Sequence, residues 1–149
     1  MKGFRLLLLN VICMSALASC ATVSPQQDDA LKAQAQATIP HCTAARQCEG
    51  EWAAARDWVV SNCAMKIQTM TDSYIDTYNA TDGEAGLACQ VTKDPDPKGG
   101  YNIAIAVNCD NMFGCVPNQW VAIVAFNKAV NSAGAAFAPA SPAVVTGVH

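Results

Sequence analysis

Cysteine placement constrains this chain more than any other feature. Of eight cysteines in 149 residues, six fall inside one stretch: Cys42, Cys48, Cys63, Cys89, Cys109 and Cys115. An even set in so short a stretch reads as a disulfide framework, and six cysteines allow about fifteen connectivities. Geometry removes some of them. Residues 49–62, EGEWAAARDWVVSN, read as a helix, because Trp52, Ala55, Val59 and Cys63 fall on one helical stripe. That reading puts Glu49 and Glu51 in the first turn, where the helix dipole favours acids. Cys48 and Cys63 then stand at opposite ends of about 22 Å of helix. A bridge needs Cα atoms within about 7 Å, so this pair is excluded. Cys42 with Cys48, and Cys109 with Cys115, each enclose a short loop-like run, and Gly114 helps the second to turn back. Cys63 and Cys89 remain. They can pair if residues 65–70 and 74–78 form a hairpin, and cannot if 65–78 is one long strand. Cys89 with Cys109, across the turn DPDPKGG, is the alternative. Structural zinc wants ligand spacings of about two to four residues, and a thioredoxin-type centre wants C-x-x-C. Neither spacing occurs among these cysteines, so they are read as structural, with no metal and no cofactor expected.

Strand signals follow the first helix. Cys63, Met65, Ile67 and Thr69 alternate with Ala64, Lys66 and Gln68, and Tyr74 to Tyr78 is rich in β-formers. Asp82-Gly83 marks a loop. Leu87, Cys89 and Val91 alternate with Ala88, Gln90 and Thr92. Tyr101, Ile103, Ile105 and Val107 alternate with Asn102, Ala104, Ala106 and Asn108, the clearest strand in the chain. Apolar residues separated by polar or small ones imply a sheet covered on one face and wet on the other. Residues 119–132 keep helical spacing through Trp120, Ile123, Val124, Asn127 and Val130, with Asn118 as an N-cap. The expected fold class is α+β in the order α-β-β-β-β-α. Three or four antiparallel strands carry two helices, with Trp52, Trp58 and Trp120, on one face, and disulfides staple the whole.

The start of the chain carries a different signal. Lys2 and Arg5 precede an apolar stretch from Leu6 to Ala16, the layout of an export signal and too short for a membrane span. Leu17-Ala18-Ser19-Cys20 follows and resembles the lipobox of bacterial lipoproteins. The resemblance covers residues 1–20 and implies cleavage between Ser19 and Cys20, a diacylglycerol on the Cys20 thiol and acylation of the new amino group. Ala21 in place of an acid after that cysteine implies, by the same resemblance, sorting to the outer membrane. Removing residues 1–19 leaves 130 residues with seven basic and twelve acidic side chains, a formal charge near −5. Residues 20–40, without an aromatic and with Ala, Gln, Ser and two Pro, are expected to be a flexible tether, with a fraying helix over 29–37. Residues 41–132 are expected to fold, and 133–149, rich in Ala, Pro and Val, to form a disordered tail.

Chemistry is sparse in this sequence. Nine basic against twelve acidic residues give no nucleic-acid footprint. The two histidines are His149, at the end of the expected tail, and His41, beside Cys42 and read as a solvated loop residue. No G-x-S-x-G elbow accompanies them. Asp72, Asp76, Asp82 and Glu84 cluster along the chain, but acids at strand ends and turns are usually solvated, and so small a unit leaves little room for a substrate cleft. The prolines of DPDPKGG break the ligand alternation of an EF-hand loop, so it is read as a hairpin turn. Asn79-Ala80-Thr81 matches a glycosylation sequon, read as chance in a bacterial lipoprotein. CDNMFGC places Met112 and Phe113 at the tip of a disulfide loop, a candidate contact for an envelope protein. The expected function is therefore a non-enzymatic lipoprotein, a binding or structural module facing the periplasm and held to the membrane by its N-terminal lipid. The alternative is a binder or inhibitor of a cationic envelope hydrolase, as in small lysozyme-inhibitor lipoproteins, although those are all-β. A small hydrolase is third.

Overall fold

The computed structural model describes residues 23–137. Ser19, Cys20, His149 and residues 138–149 of the expected tail lie outside them. The elements run α1 (Pro25–Ala37), β1 (His41–Cys42), α2 (Ala45–Asn62), β2 (Ile67–Met70), β3 (Tyr74–Thr77), β4 (Ala88–Pro95), β5 (Tyr101–Asn108) and α3 (Gln119–Ala135). The strands form one sheet in the order β1-β5-β4-β3-β2, antiparallel throughout. The α+β class and the disulfide stapling hold. The count is five strands and three helices among the described residues, rather than three or four strands and two helices.

The core follows from strand alternation. Ile75, Cys89, Val91 and Ile103 point to one face, where α2 contributes Trp52, Ala55 and Val59 and α3 contributes Ala122, Phe126 and Val130. Phe126 is fully buried and meets Trp58 edge-on, with ring centroids 5.4 Å apart. The β2–β3 hairpin forms, so β4 runs in the same direction as β2. The amides of Ala64 and Met65 both donate to the Leu87 carbonyl, which brings the end of α2 beside the start of β4. Cys63 and Cys89 are joined there, with Cα atoms 6.1 Å apart. Cys42–Cys48 ties β1 to the first turn of α2, and Cys109–Cys115 closes the loop between β5 and α3.

Three differences from the sequence reading have physical causes. The first is α1, which occupies most of the expected tether. Ser24 builds a reciprocal capping box with Gln27, and Pro25 sits where its missing N–H costs nothing. The far end is capped by α3: Asn127 Nδ2 donates to the Ala35 carbonyl at 2.8 Å and Asn131 Nδ2 to the Thr38 carbonyl at 2.9 Å. An Ala- and Gln-rich helix has no bulky stripe to detect, because small side chains let it lie close to its neighbour and amides hold it there. The second is β1, two residues that pair with Asn102 and Tyr101 and are too short to show a period. The third concerns helix ends. α2 begins at Ala45, which moves Glu51 out of the first turn and into the interior, at 1% exposure. α3 runs past residue 132 to Ala135, so the ordered unit spans more than 41–132 at both ends.

Candidate functional site

Two surfaces stand out from the packed body. The first is the sheet face opposite the helices. Gln90, Thr92 and Asp94 on β4, Tyr74 and Asp76 on β3, and Asn102, Ala104, Ala106 and Asn108 on β5 share it by register. Gln90 Nε2 donates to the Tyr74 hydroxyl at 2.7 Å, and the Thr92 hydroxyl donates to Asp94 at 2.7 Å. A shallow cleft of about 210 Å³ opens at one end, with Asp76, Asn79, Gln90 and Asn108 in its lining. Small alanines between amides and carboxylates make this face a flat array of hydrogen-bonding groups, suited to contact with a polar partner surface.

The second surface is the disulfide loop. Its backbone is held from several directions. Asp110 N–H donates to the Glu84 carbonyl at 3.0 Å, and Gly83 N–H donates to Asp110 Oδ2 at 3.2 Å. Asn111 Nδ2 donates to the Gly83 carbonyl, its Oδ1 accepts from Phe113 N–H at 2.9 Å, and Val116 N–H reaches the Ala85 carbonyl at 2.8 Å. Despite this bracing the apolar side chains point away from the body. Met112 is 90% exposed, Phe113 92% and Val116 71%.

The titratable groups with shifted behaviour lie elsewhere. Burial pushes the Glu51 carboxyl up from its ordinary range, against the opposing pull of a hydrogen bond from Gln47 and the charge of His41. Gln47 Nε2 donates to Glu51 Oε1 at 2.9 Å, while Oε2 is buried and has no hydrogen-bond partner. Gly134 of α3 lies directly over the carboxyl, where any Cβ would overlap it. Asp96, in the β4–β5 turn, is held below the usual carboxylate range by the Lys98 backbone N–H and then by Asn102 Nδ2. His41 Nε2 lies 3.1 Å from the Gly99 carbonyl and 3.9 Å from Asp96, so it braces this turn. Its ring is engaged in structure rather than set beside a nucleophile.

The acids that cluster along the chain separate in space. Asp72 belongs to the β2–β3 turn, Asp76 to the open sheet face, and Asp82 and Glu84 to the segment that braces the disulfide loop. Among the described residues no three His, Cys, Asp or Glu side chains gather as a metal site. No described helix is long and apolar enough to cross a membrane. The open sheet face was foreshadowed by the small and polar residues at alternate positions of β4 and β5. Buried Glu51 was missed, and a single acid directly before a tryptophan carries no signal of burial. Compared with known proteins, the chain matches no family model, no curated protein and no solved structure.

Proposed function

We propose that the chain is a non-catalytic, lipid-anchored module of the cell envelope, tied through Cys20 to the periplasmic face of the outer membrane and acting as a binding or structural unit. The observation that carries this reading is the set of three bridges, Cys42–Cys48, Cys63–Cys89 and Cys109–Cys115. Such bridges persist in oxidising compartments, which agrees with an export signal ending in a lipobox. The engagement of His41 by the β4–β5 turn, and the spread of the acids, favour binding over catalysis. Detergent phase partitioning tests the anchor: the wild-type chain partitions with detergent and Cys20→Ala moves to the aqueous phase. An unchanged detergent fraction for the mutant sinks the reading. Capture of partners from envelope extracts by the full chain tests the role, and turnover of a wall polymer by the purified protein would overturn it.

Asp76 and Asp94 on the open sheet face support a second reading, capture of a cationic envelope hydrolase. Opposite charge mainly raises the association rate and makes it salt-sensitive. Inhibition of lysozyme by the wild-type chain, weakened in Asp76→Asn/Asp94→Asn and by added salt, is the expected result. Inhibition indifferent to both would refute the charge argument.

A further inference from the structure

The exposed tip of the disulfide loop and the first turn of α1 lie at the same end of the described structure. α1 and α3 run side by side in the same direction: Asp28 meets Asn118 at their starts, at 2.8 Å, and Ala35 meets Asn127 further along. Asn118 follows the disulfide loop directly, and Asp28 shares one cleft with Cys109, Gly114 and Cys115. The first turn of α1 is thus packed beside the base of the loop that carries Met112 and Phe113. Cys20 and the capping residue Ser24 are only four positions apart, a reach of at most about 14 Å. A chain anchored at Cys20 therefore holds this end of the domain against the bilayer, with little freedom to turn it away.

We propose that the Met112–Phe113 tip inserts into the surface of the same lipid leaflet that holds the Cys20 acyl chains. The proposal rests on the lipid-anchor reading and adds a second membrane contact to it. Two side chains at 90% and 92% exposure, on a loop closed by a disulfide and braced by backbone bonds, gain burial without any loss of loop freedom on docking. A single weak apolar contact becomes effective when a lipid already confines it to the surface, since the second event is then intramolecular. Asp82, Glu84 and Asp110 stand at the base of the loop, so the charge favours a zwitterionic surface over an anionic one.

The test uses the mature lipidated chain, wild type and Phe113→Trp, reconstituted into phosphatidylcholine vesicles with or without brominated acyl chains. Position 113 is solvent-facing, so the substitution leaves the fold intact, and wild-type emission from Trp52, Trp58 and Trp120 gives the background. Both proteins float with the vesicles. The added emission is blue-shifted and falls about two-fold or more when the acyl chains are brominated, as expected for a ring in the boundary region. Exchange of part of the phosphatidylcholine for phosphatidylglycerol reduces the quenching. Failure to float overturns the anchor reading and the insertion with it. Flotation with the added tryptophan still open to aqueous acrylamide and untouched by bromolipid overturns insertion alone. Exposure in pure lipid vesicles but protection in native envelope membranes assigns the tip to a protein partner, which also overturns it.

Discussion

The three disulfides should not contribute equally, and the difference can be worked from the loops they close. Cys63–Cys89 closes a sequence separation of 26, whereas Cys42–Cys48 closes 6. In the chain-entropy treatment the first restricts the unfolded chain by about 3.5 kcal/mol and the second by about 2.2, a difference of about 1.3 kcal/mol. Packing does not reverse the order by itself, because both bridges bury sulfur: Cys42, Cys48 and Cys89 are all below 10% exposure and Cys63 is half-buried. Cys63→Ala/Cys89→Ala should therefore lose more stability than Cys42→Ala/Cys48→Ala in urea unfolding followed by far-UV circular dichroism. For the 115 residues from 23 to 137 the gap corresponds to about 5 °C in Tm. Cys109→Ala/Cys115→Ala closes the same short separation as Cys42–Cys48 but with half-buried cysteines, so it should be the mildest of the three. Equal losses for the two buried bridges, or a larger loss for the short one, would refute the reasoning. Non-reducing peptide mapping gives an independent check on the pairing.

Glu51 supplies a pH-dependent counterpart. Its carboxyl is raised from an ordinary value of 4.5, so the folded chain keeps a proton that the unfolded chain releases. Below that ordinary value both states are protonated and no penalty exists; as pH rises from there through the folded value, stability falls. Glu51→Gln removes this component, so its stability advantage over wild type should grow from pH 4 to pH 7 in urea titrations, and a constant difference would contradict the assignment. Asn127→Ala deprives the Ala35 carbonyl and the Thr38 hydroxyl of their donor, at about 1–3 kcal/mol for a buried polar group left unpaired. Amide exchange should then speed up in α1 more than in β4 and β5, and uniform protection would argue against a role for that amide. Gly100 has a φ of +84° and packs against the Cys42 carbonyl, so Gly100→Ala combines strain with overlap and should cost roughly 1–3 kcal/mol. A Tm within about 1 °C of wild type would show that the β1–β5 edge yields freely.

The fold was legible wherever a period of two or of 3.6 was written in bulky side chains. β5 alternates Ile103, Ile105 and Val107 with small and polar residues, and α2 carries Trp52, Ala55 and Val59 on one stripe, so both could be read directly. Cys63 with Cys89 required the β2–β3 hairpin as a condition, and the turn at Thr71, whose hydroxyl accepts from the amides of Ser73 and Tyr74, provides it. α1 was illegible for the opposite reason. Its hold on the domain comes from side-chain amides of α3, roughly ninety positions away, which leave no mark on the Ala-Gln stretch itself. The candidate contact at Met112 and Phe113 could be named from the spacing of the flanking cysteines, but not its exposure. That depends on bonds from Glu84, Gly83 and Ala85 to the loop, which only the folded chain brings together.

The clasp between the first and last helices sets an order of events for a chain that emerges from its N-terminus. Among the described residues, every side-chain hydrogen bond that ties α1 and its C-cap Thr38 to the rest of the fold comes from Asn118, Asn127 or Asn131, at separations of 89 to 93 residues. Long-range contacts of this kind form only after the intervening chain is in place. The hairpins of β2 through β5 can collapse while α3 is still arriving, whereas α1 has nothing to dock on until then. The earliest segment of the described domain to appear is thus the last to be fastened.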